Sequence, residues 1–455
     1  MEITVREAVQ ATGGELLNGG EEILNLTLKD VCIDSRIIKA GDLFIPIVGE
    51  KVDAHKFIPD VMKKGTATFT EKDINEFAEG KAYIKVPSTV KALQDIGRYV
   101  RLQYKNPVVG VTGSVGKTTT REMITTALSS ANEVFHTEGN FNSEIGLPIT
   151  TSRMTDKPSD IAVLEMGISA PGEMDILSHV GLPDIAVVTM IGVAHIEFLK
   201  TKEGIRDEKI KICKEMNEDG VLFLNADDPL LAEMKGKTPV KTFFYGTGLD
   251  ADYRAEDIRV EDGFYAYTYC HGEVKMTVRI PVLGKHNVLN SLVAMAICDY
   301  LDMNLSLAAH ALEDFHGLRQ TVMKTEKGYT LIDDTYNASP DSMKAAIDVV
   351  SNFKCSGKKY IVLGDMFELG VNEAAFHTDV GSYFEGKDID ELITIGQLSL
   401  NIESRAREVS DINTVHLSKL QEVTDYLNKM LKKDDIVLLK ASNGMHLSEV
   451  VKEID

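Results

Sequence analysis

Residues Val108–Thr120, VVGVTGSVGKTTT, constrain the fold more than any other stretch of the chain. A short apolar run feeds a glycine-rich turn, then a Lys-Thr pair, then a helix-like stretch from Arg121 to Ser129. Gly113 and Gly116 permit a tight turn whose backbone N–H groups point at phosphate oxygens. Lys117 adds a point charge, and the Thr118 hydroxyl suits Mg²⁺. The loop opens a helix, and the N-terminal end of a helix favours anions. The longer nucleotide pattern needs a glycine where Val111 stands, so what remains is the shorter form GxxGKT. A strand, loop and helix in this order predict a nucleoside triphosphate site. The bland alternative is a glycine-rich turn on a surface helix.

A chain of 455 residues accommodates about three domains at ~150 residues each. No run of eighteen apolar residues occurs, so no membrane span is expected. The opening MEITVREAVQATGG lacks the basic-then-apolar order of a secretory leader. The five cysteines have no paired spacing, which fits reduced thiols in a cytoplasm better than a disulfide framework or a zinc site. A net charge of −21 repels nucleic acid and anionic membranes at long range, so small-molecule partners are expected. Anionic substrates must then meet cations gathered locally, of which Lys117 is one.

Three regions follow from the pattern. Residues 1–87 read as a small mixed α/β unit, with IDSRIIKAGDLFI at 33–45 and Asp53-Ala54-His55 after it. Pro87 ends that unit, and Ser88 can cap a helix from Thr89 to Gln103. Residues 88–314 alternate strand and helix, with strands at Val108–Val111, Ile161–Leu164, Ile185–Thr189 and Val221–Leu224. This alternation predicts a mainly parallel sheet with ligands at the carboxyl ends of its strands. A patch from Asp252 to Pro281 alternates like antiparallel strands, and Asn287–Tyr300 reads as a helix. Residues 315–455 repeat the alternation as a second α/β domain. Its strands are expected at Tyr329–Asp333, Lys359–Leu363, Glu391–Ile395 and Ile436–Lys440. Its helices are expected at Ser342–Asn352, Glu373–Glu385 and Lys419–Leu431, the last capped by Ser418.

Several polar groups fall at strand ends or turns. Glu165 closes a strand in VLEMG, where a carboxylate can hold Mg²⁺. His195 follows the next strand, and Lys209 comes fourteen positions later in a charged stretch that reads as a solvated helix face. Asn140 and Asn142 sit on a glycine-kinked loop and can bond a sugar or pyrophosphate, or cap a turn. Asn287 and Asn290 lie three apart on one helical face, suited to an adenine edge or to a helix cap. Asp333 and Asp334 end a strand in LIDDTYNASPDSM, a costly pair unless a cation or a ribose meets them.

The strings TGSVGKTTT, LEMG, AHIEFL with Lys209 downstream, GKHNVLN and the Arg319 segment, in this order, resemble the Mur ligases, the ATP-dependent amide-forming enzymes of peptidoglycan synthesis. Within that family IDDTYNASPDSM, VLGDMFELG and the amino-terminal DSR segment look like the last member of the series. The resemblance implies three α/β domains: a small UDP-binding domain, a central P-loop ATPase-like domain with a parallel sheet, and a Rossmann-like C-terminal domain. It implies that Thr112, Gly113, Ser114, Val115, Gly116, Lys117 and Thr118 hold ATP phosphates, and that Asn287, Arg319 and Asp334 also serve ATP. Thr118 and Glu165 would bind one Mg²⁺, His195 a second. Lys209 would be carbamylated and join the metal site. Lys117, His195, Lys209 and Arg319 would carry the catalysis. Asp34, Ser35 and Arg36 would serve the UDP end, and Asn140 and Asn142 the same substrate.

The implied reaction joins D-alanyl-D-alanine to a UDP-muramoyl tripeptide through an acyl phosphate, in a cytoplasmic monomer. Two strings depart from the family: Lys440-Ala441-Ser442-Asn443 stands where Lys-Gly-Ser-Arg is usual, and Gln320-Thr321 follows Arg319. The rival readings are a folylpolyglutamate synthase, which lacks the UDP domain, and a non-catalytic nucleotide switch, which has no need of Glu165, His195, Lys209 and Arg319 together.

Overall fold

Apolar, β-branched runs that stop abruptly at glycine or a polar residue recur along this chain, and most become strands buried on both faces, as parallel sheets require. The computed structural model describes residues 1–154, 159–261, 264–315 and 321–454. Among these residues it forms three large sheets and one two-stranded ribbon.

The amino-terminal sheet has five strands, in the spatial order Glu15–Leu16, Ala82–Lys85, Ala67–Thr70, Asp42–Phe44 and Asp30–Cys32. All pairs are parallel except the first. The helix Thr89–Gln103 starts as its sequence predicts, with the Ser88 hydroxyl accepting the Lys91 N–H at 3.3 Å. Its residues Ala92, Leu93, Ile96 and Val100 complete the core of this first sheet. The same helix packs on the central helices Gly146–Ser152 and Glu173–Gly181. One element therefore joins the core of the first sheet to two helices of the central domain.

The central sheet has nine strands. Val108–Thr112 lies between Ile161–Glu165 and Ile185–Val188 and is parallel to both. The chain leaves this strand in both directions, which opens a crevice at the carboxyl ends of the strands. Val221–Asn225, Lys241–Gly246 and Tyr253–Glu261 extend the sheet in parallel. Phe264–His271 and Val274–Ile280 add an antiparallel edge. The antiparallel patch predicted from alternation thus exists, as a continuation of the central sheet. Val109 and Val111 pack with Met123 and Ile124 of the loop helix and with Leu292 of the helix His286–Tyr300.

The third sheet has six strands, with Ile436–Lys440 inserted between Thr330–Asp333 and Lys359–Gly364. Glu391–Ile395 and Asn413–Leu417 continue it in parallel, and Thr321–Lys324 forms an antiparallel edge. The predicted cap at Ser418 is corrected: Lys419 is the capping residue of the helix Leu420–Met430, without a side-chain cap bond. Ser418 stands one residue too early, and its N–H donates to the Glu422 carboxylate at 2.9 Å. The third domain is seated on the central one. Val193 from the central segment is part of the third domain's hydrophobic core, and Ile196 and Leu283 pack against that core.

Candidate active site at the domain junction

The phosphate loop is built by close packing. Gly113 has φ +155, and a Cβ there would lie 1.8 Å from the Thr189 hydroxyl. That hydroxyl donates to the Val115 carbonyl at 2.6 Å, and the Ser114 N–H donates to the Met190 carbonyl at 2.8 Å. The neighbouring strand end therefore holds the loop in shape. Gly116 has φ +87 and precedes the helix Lys117–Leu128. A left-handed residue here turns the chain so that the helix N-terminus faces the crevice. The Lys117 ammonium donates to the Gly113 carbonyl at 2.8 Å, folding the side chain back over the loop.

Glu165 is fully buried at the end of the adjacent strand. Its Oε1 accepts from the Thr118 hydroxyl at 3.1 Å and from the Asn142 amide at 2.7 Å. Its Oε2 is buried and has no hydrogen-bond partner among the described residues. A hydroxyl oxygen and a carboxylate this close are hard oxygen donors of the kind Mg²⁺ takes, and a buried carboxylate oxygen without a donor is costly unless a cation meets it. The donor set fits Mg²⁺.

His195 stands at φ +62 in the turn after Ile185–Val188. Its Nδ1 lies 2.5 Å from Glu368 Oε2 of the third domain, and Glu368 is itself at φ +60. Burial holds the imidazole below its usual pKa; the Lys117 and Lys209 ammonium groups add to this and Glu368 opposes it. The solvated reading of Lys209 is corrected. It is only 1% exposed, on the inner face of the helix Lys202–Ile210, and its side chain forms no hydrogen bond or ion pair with a described residue. Burial, reinforced by the Lys117 ammonium, pushes its pKa well below the ordinary lysine value. The amine is accordingly held towards its neutral, nucleophilic form.

A cavity of about 590 Å³ runs from this loop to the third domain. Ser114–Thr118, His195, Asn287 and Asn290 line one wall; Asp334, Asn337, Asp341 and Lys440 line the other. Asn287 donates to the Leu283 carbonyl at 2.7 Å and accepts from Asn290 at 2.9 Å. Asn290 accepts in turn from Thr120 at 3.0 Å, which ties this helix to the loop helix. Lys440 is 2.9 Å from Asp334, so each offsets the other's charge at the cavity wall.

The predicted residues do not all converge. Thr112 ends the loop strand, and its hydroxyl is buried without a partner. Asn142 serves Glu165, whereas Asn140 is exposed. Asp34, Ser35 and Arg36 lie in the first domain and do not line the cavity. There Arg36 makes a two-pronged ion pair with Asp34, which holds the Asp34 carboxyl down at about 2. Arg319 lies in 316–320, outside the described residues. Asn443, standing where the family usually has Arg, is exposed. Sequence reading missed Thr189, Asp341, Glu368 and Arg121; only the basic residue after TTT gave a signal for the last.

Residues 111–298 match the Mur ligase middle domain, and residues 318–443 match the Mur ligase, glutamate ligase domain. The chain is 38% identical over 456 residues to the UDP-N-acetylmuramoyl-tripeptide–D-alanyl-D-alanine ligase of Bacillus subtilis (strain 168), covering 99% of this chain and 98% of the relative. The crystal structure of MurF from Acinetobacter baumannii superposes with a TM-score of 0.90 at 27% identity, covering 100% and 99% of the two chains. The MurF ligase from Thermotoga maritima in complex with ADP superposes at 0.80 and 28% identity, over 94% and 97%. On the fold, the cavity and these matches together, the chain belongs to the Mur ligase family.

Proposed function

We propose that this chain is the ligase that joins D-alanyl-D-alanine to a UDP-N-acetylmuramoyl tripeptide at the expense of ATP. The observation that carries the choice of substrate is the relation to the Bacillus subtilis ligase, which runs through all three domains at 38% identity. In this reading the tripeptide's terminal carboxylate attacks the γ-phosphorus, ADP leaves, and an acyl phosphate forms. The amine of D-alanyl-D-alanine then attacks the acyl carbon, gives up a proton, and expels inorganic phosphate.

Bound Mg²⁺ would neutralise phosphate charge and orient the γ-phosphoryl group. In this reading Thr118 and Glu165 would hold one ion, and His195 with Lys209 a second. Lys117 lies at the helix start, where its charge meets the β- and γ-phosphates. Asn287 and Asp334 line the cavity and would serve the nucleotide, Asn287 at the adenine; Arg319 belongs to the same set by resemblance.

Lys209 is the carbamate candidate. Its amine would attack carbon dioxide, forming an N–C bond and releasing one proton, and the resulting anion could meet a cation where an ammonium would repel it. Its burial and absence of partners support this. Asp34, Ser35 and Arg36 are assigned to the UDP end, with Asn140 and Asn142 nearer the reacting carboxylate. The chain is assigned to the cytoplasm as a monomer; no described helix is long and apolar enough to cross a membrane.

The test is phosphate release from ATP with the UDP-muramoyl tripeptide and a panel of amines. Release is expected with D-alanyl-D-alanine and not with D-alanine, glutamate or a diamino acid. Equal turnover with glutamate, or with a folate in place of the tripeptide, would sink the assignment.

A further inference from the structure

Arg121 sits one turn beyond Lys117 on the loop helix and is 1% exposed, among the most deeply buried large side chains of the protein. Burying a guanidinium is costly unless its charge and donors are met, and here the two terminal nitrogens meet partners while Nε is buried without a hydrogen bond among the described residues. Its Nη1 donates to the Thr137 carbonyl and, at 3.3 Å, to the Gly139 carbonyl. The same nitrogen lies 3.7 Å from Glu165 Oε2, the carboxylate oxygen with no hydrogen bond. Its Nη2 donates to Glu122. The turn it grips returns to Glu165 twice: the Thr137 hydroxyl accepts the Glu165 backbone N–H at 3.0 Å, and Asn142 donates to Oε1.

We propose that Arg121 is a positioning residue that sets the cation ligand Glu165 and the turn Thr137–Asn142 as one unit. The guanidinium fork donates to two carbonyls and the Glu122 carboxylate while its charge stands 3.7 Å from Glu165, which a lysine's single point of charge does less well. The turn carries Asn140 and Asn142, so one buried side chain would fix both the metal ligand and the loop assigned above to the UDP-muramoyl tripeptide. The inference rests on the reading of Glu165 as a Mg²⁺ ligand, and the experiment separates the two.

Three variants are compared with the parent: Arg121→Met, Arg121→Lys and Glu165→Gln. Calorimetry gives the Mg²⁺ concentration that half-saturates ADP binding, and separately the affinity for the UDP-muramoyl tripeptide; neither needs turnover. Melting of the unliganded protein reports folding. Loss of a group that orients a metal ligand costs about tenfold or more in metal affinity, and Arg121→Met is expected to raise the Mg²⁺ half-saturation by that amount. The same variant weakens the tripeptide severalfold. Arg121→Lys lies between it and the parent in both, and stands in for it if Arg121→Met does not fold. Glu165→Gln moves the Mg²⁺ dependence alone. A lower melting temperature with both affinities unchanged, or a shift in only one of them, overturns the proposal for Arg121. An unchanged Mg²⁺ dependence in Glu165→Gln overturns instead the cation reading on which it stands.

Discussion

Lys117 and Lys209 show how differently two lysines of one site can be read. Lys117 is legible because a lysine after GxxG at a strand–helix junction has little to do but meet phosphate. Its replacement by alanine is expected to cut turnover by about a hundredfold or more while leaving the melting temperature unchanged. Near-normal phosphate release would refute that role. Lys209 is hard to read from pattern: KEGIRDEKI is mostly charged, and the one local hint is that Lys209 stands a helical turn after the buried Ile205. Only the family resemblance singles it out, and only the fold shows the burial. Lys209→Ala should be nearly inactive, with partial recovery on adding formate or acetate to fill the vacated space. Retention of most activity without added carboxylate would remove the carbamate from the mechanism.

Elements were legible where burial is two-sided. Glu391–Ile395 and Ile436–Lys440 fall where their apolar runs place them, because a strand buried on both faces is apolar throughout and stops where the polar residues begin. Edge strands escaped: Thr321–Lys324 is mostly exposed, so its short sequence carries no such run. The cap at Ser418 fails because the helix begins one residue later, after Lys419, and the Glu422 carboxylate takes the Ser418 backbone N–H instead. The phosphate loop makes the sharpest prediction at this scale. Gly113→Ala places a methyl group on the Thr189 hydroxyl, and that hydroxyl already holds Val115. The variant should fold yet lose ADP binding by calorimetry, and the double change Gly113→Ala with Thr189→Ala should recover part of it. Normal ADP affinity in the single variant would contradict the loop's description.

Across the whole molecule, the junction between central and third domains is held by apolar packing as well as charge. Val193 is shared with the third domain's core, and His195 meets Glu368 across the same seam. Val193→Asp should loosen that seam, and small-angle scattering should give a larger radius of gyration for the unliganded variant than for the parent. An unchanged radius together with unchanged ADP affinity would show that the seam does not depend on this residue.

The helix Thr89–Gln103, seated in the first core and packed on two central helices, gives the molecule a fixed gauge. On the proposed placement, with the uridine end on the first domain and the reacting carboxylate at the phosphate loop, the span between them would not stretch to suit a different stem. A UDP-muramoyl dipeptide should therefore bind with nearly the affinity of the tripeptide and still release little phosphate, because its carboxylate stops short of the γ-phosphorus. Comparable turnover of the two stems would mean that the gauge is elastic.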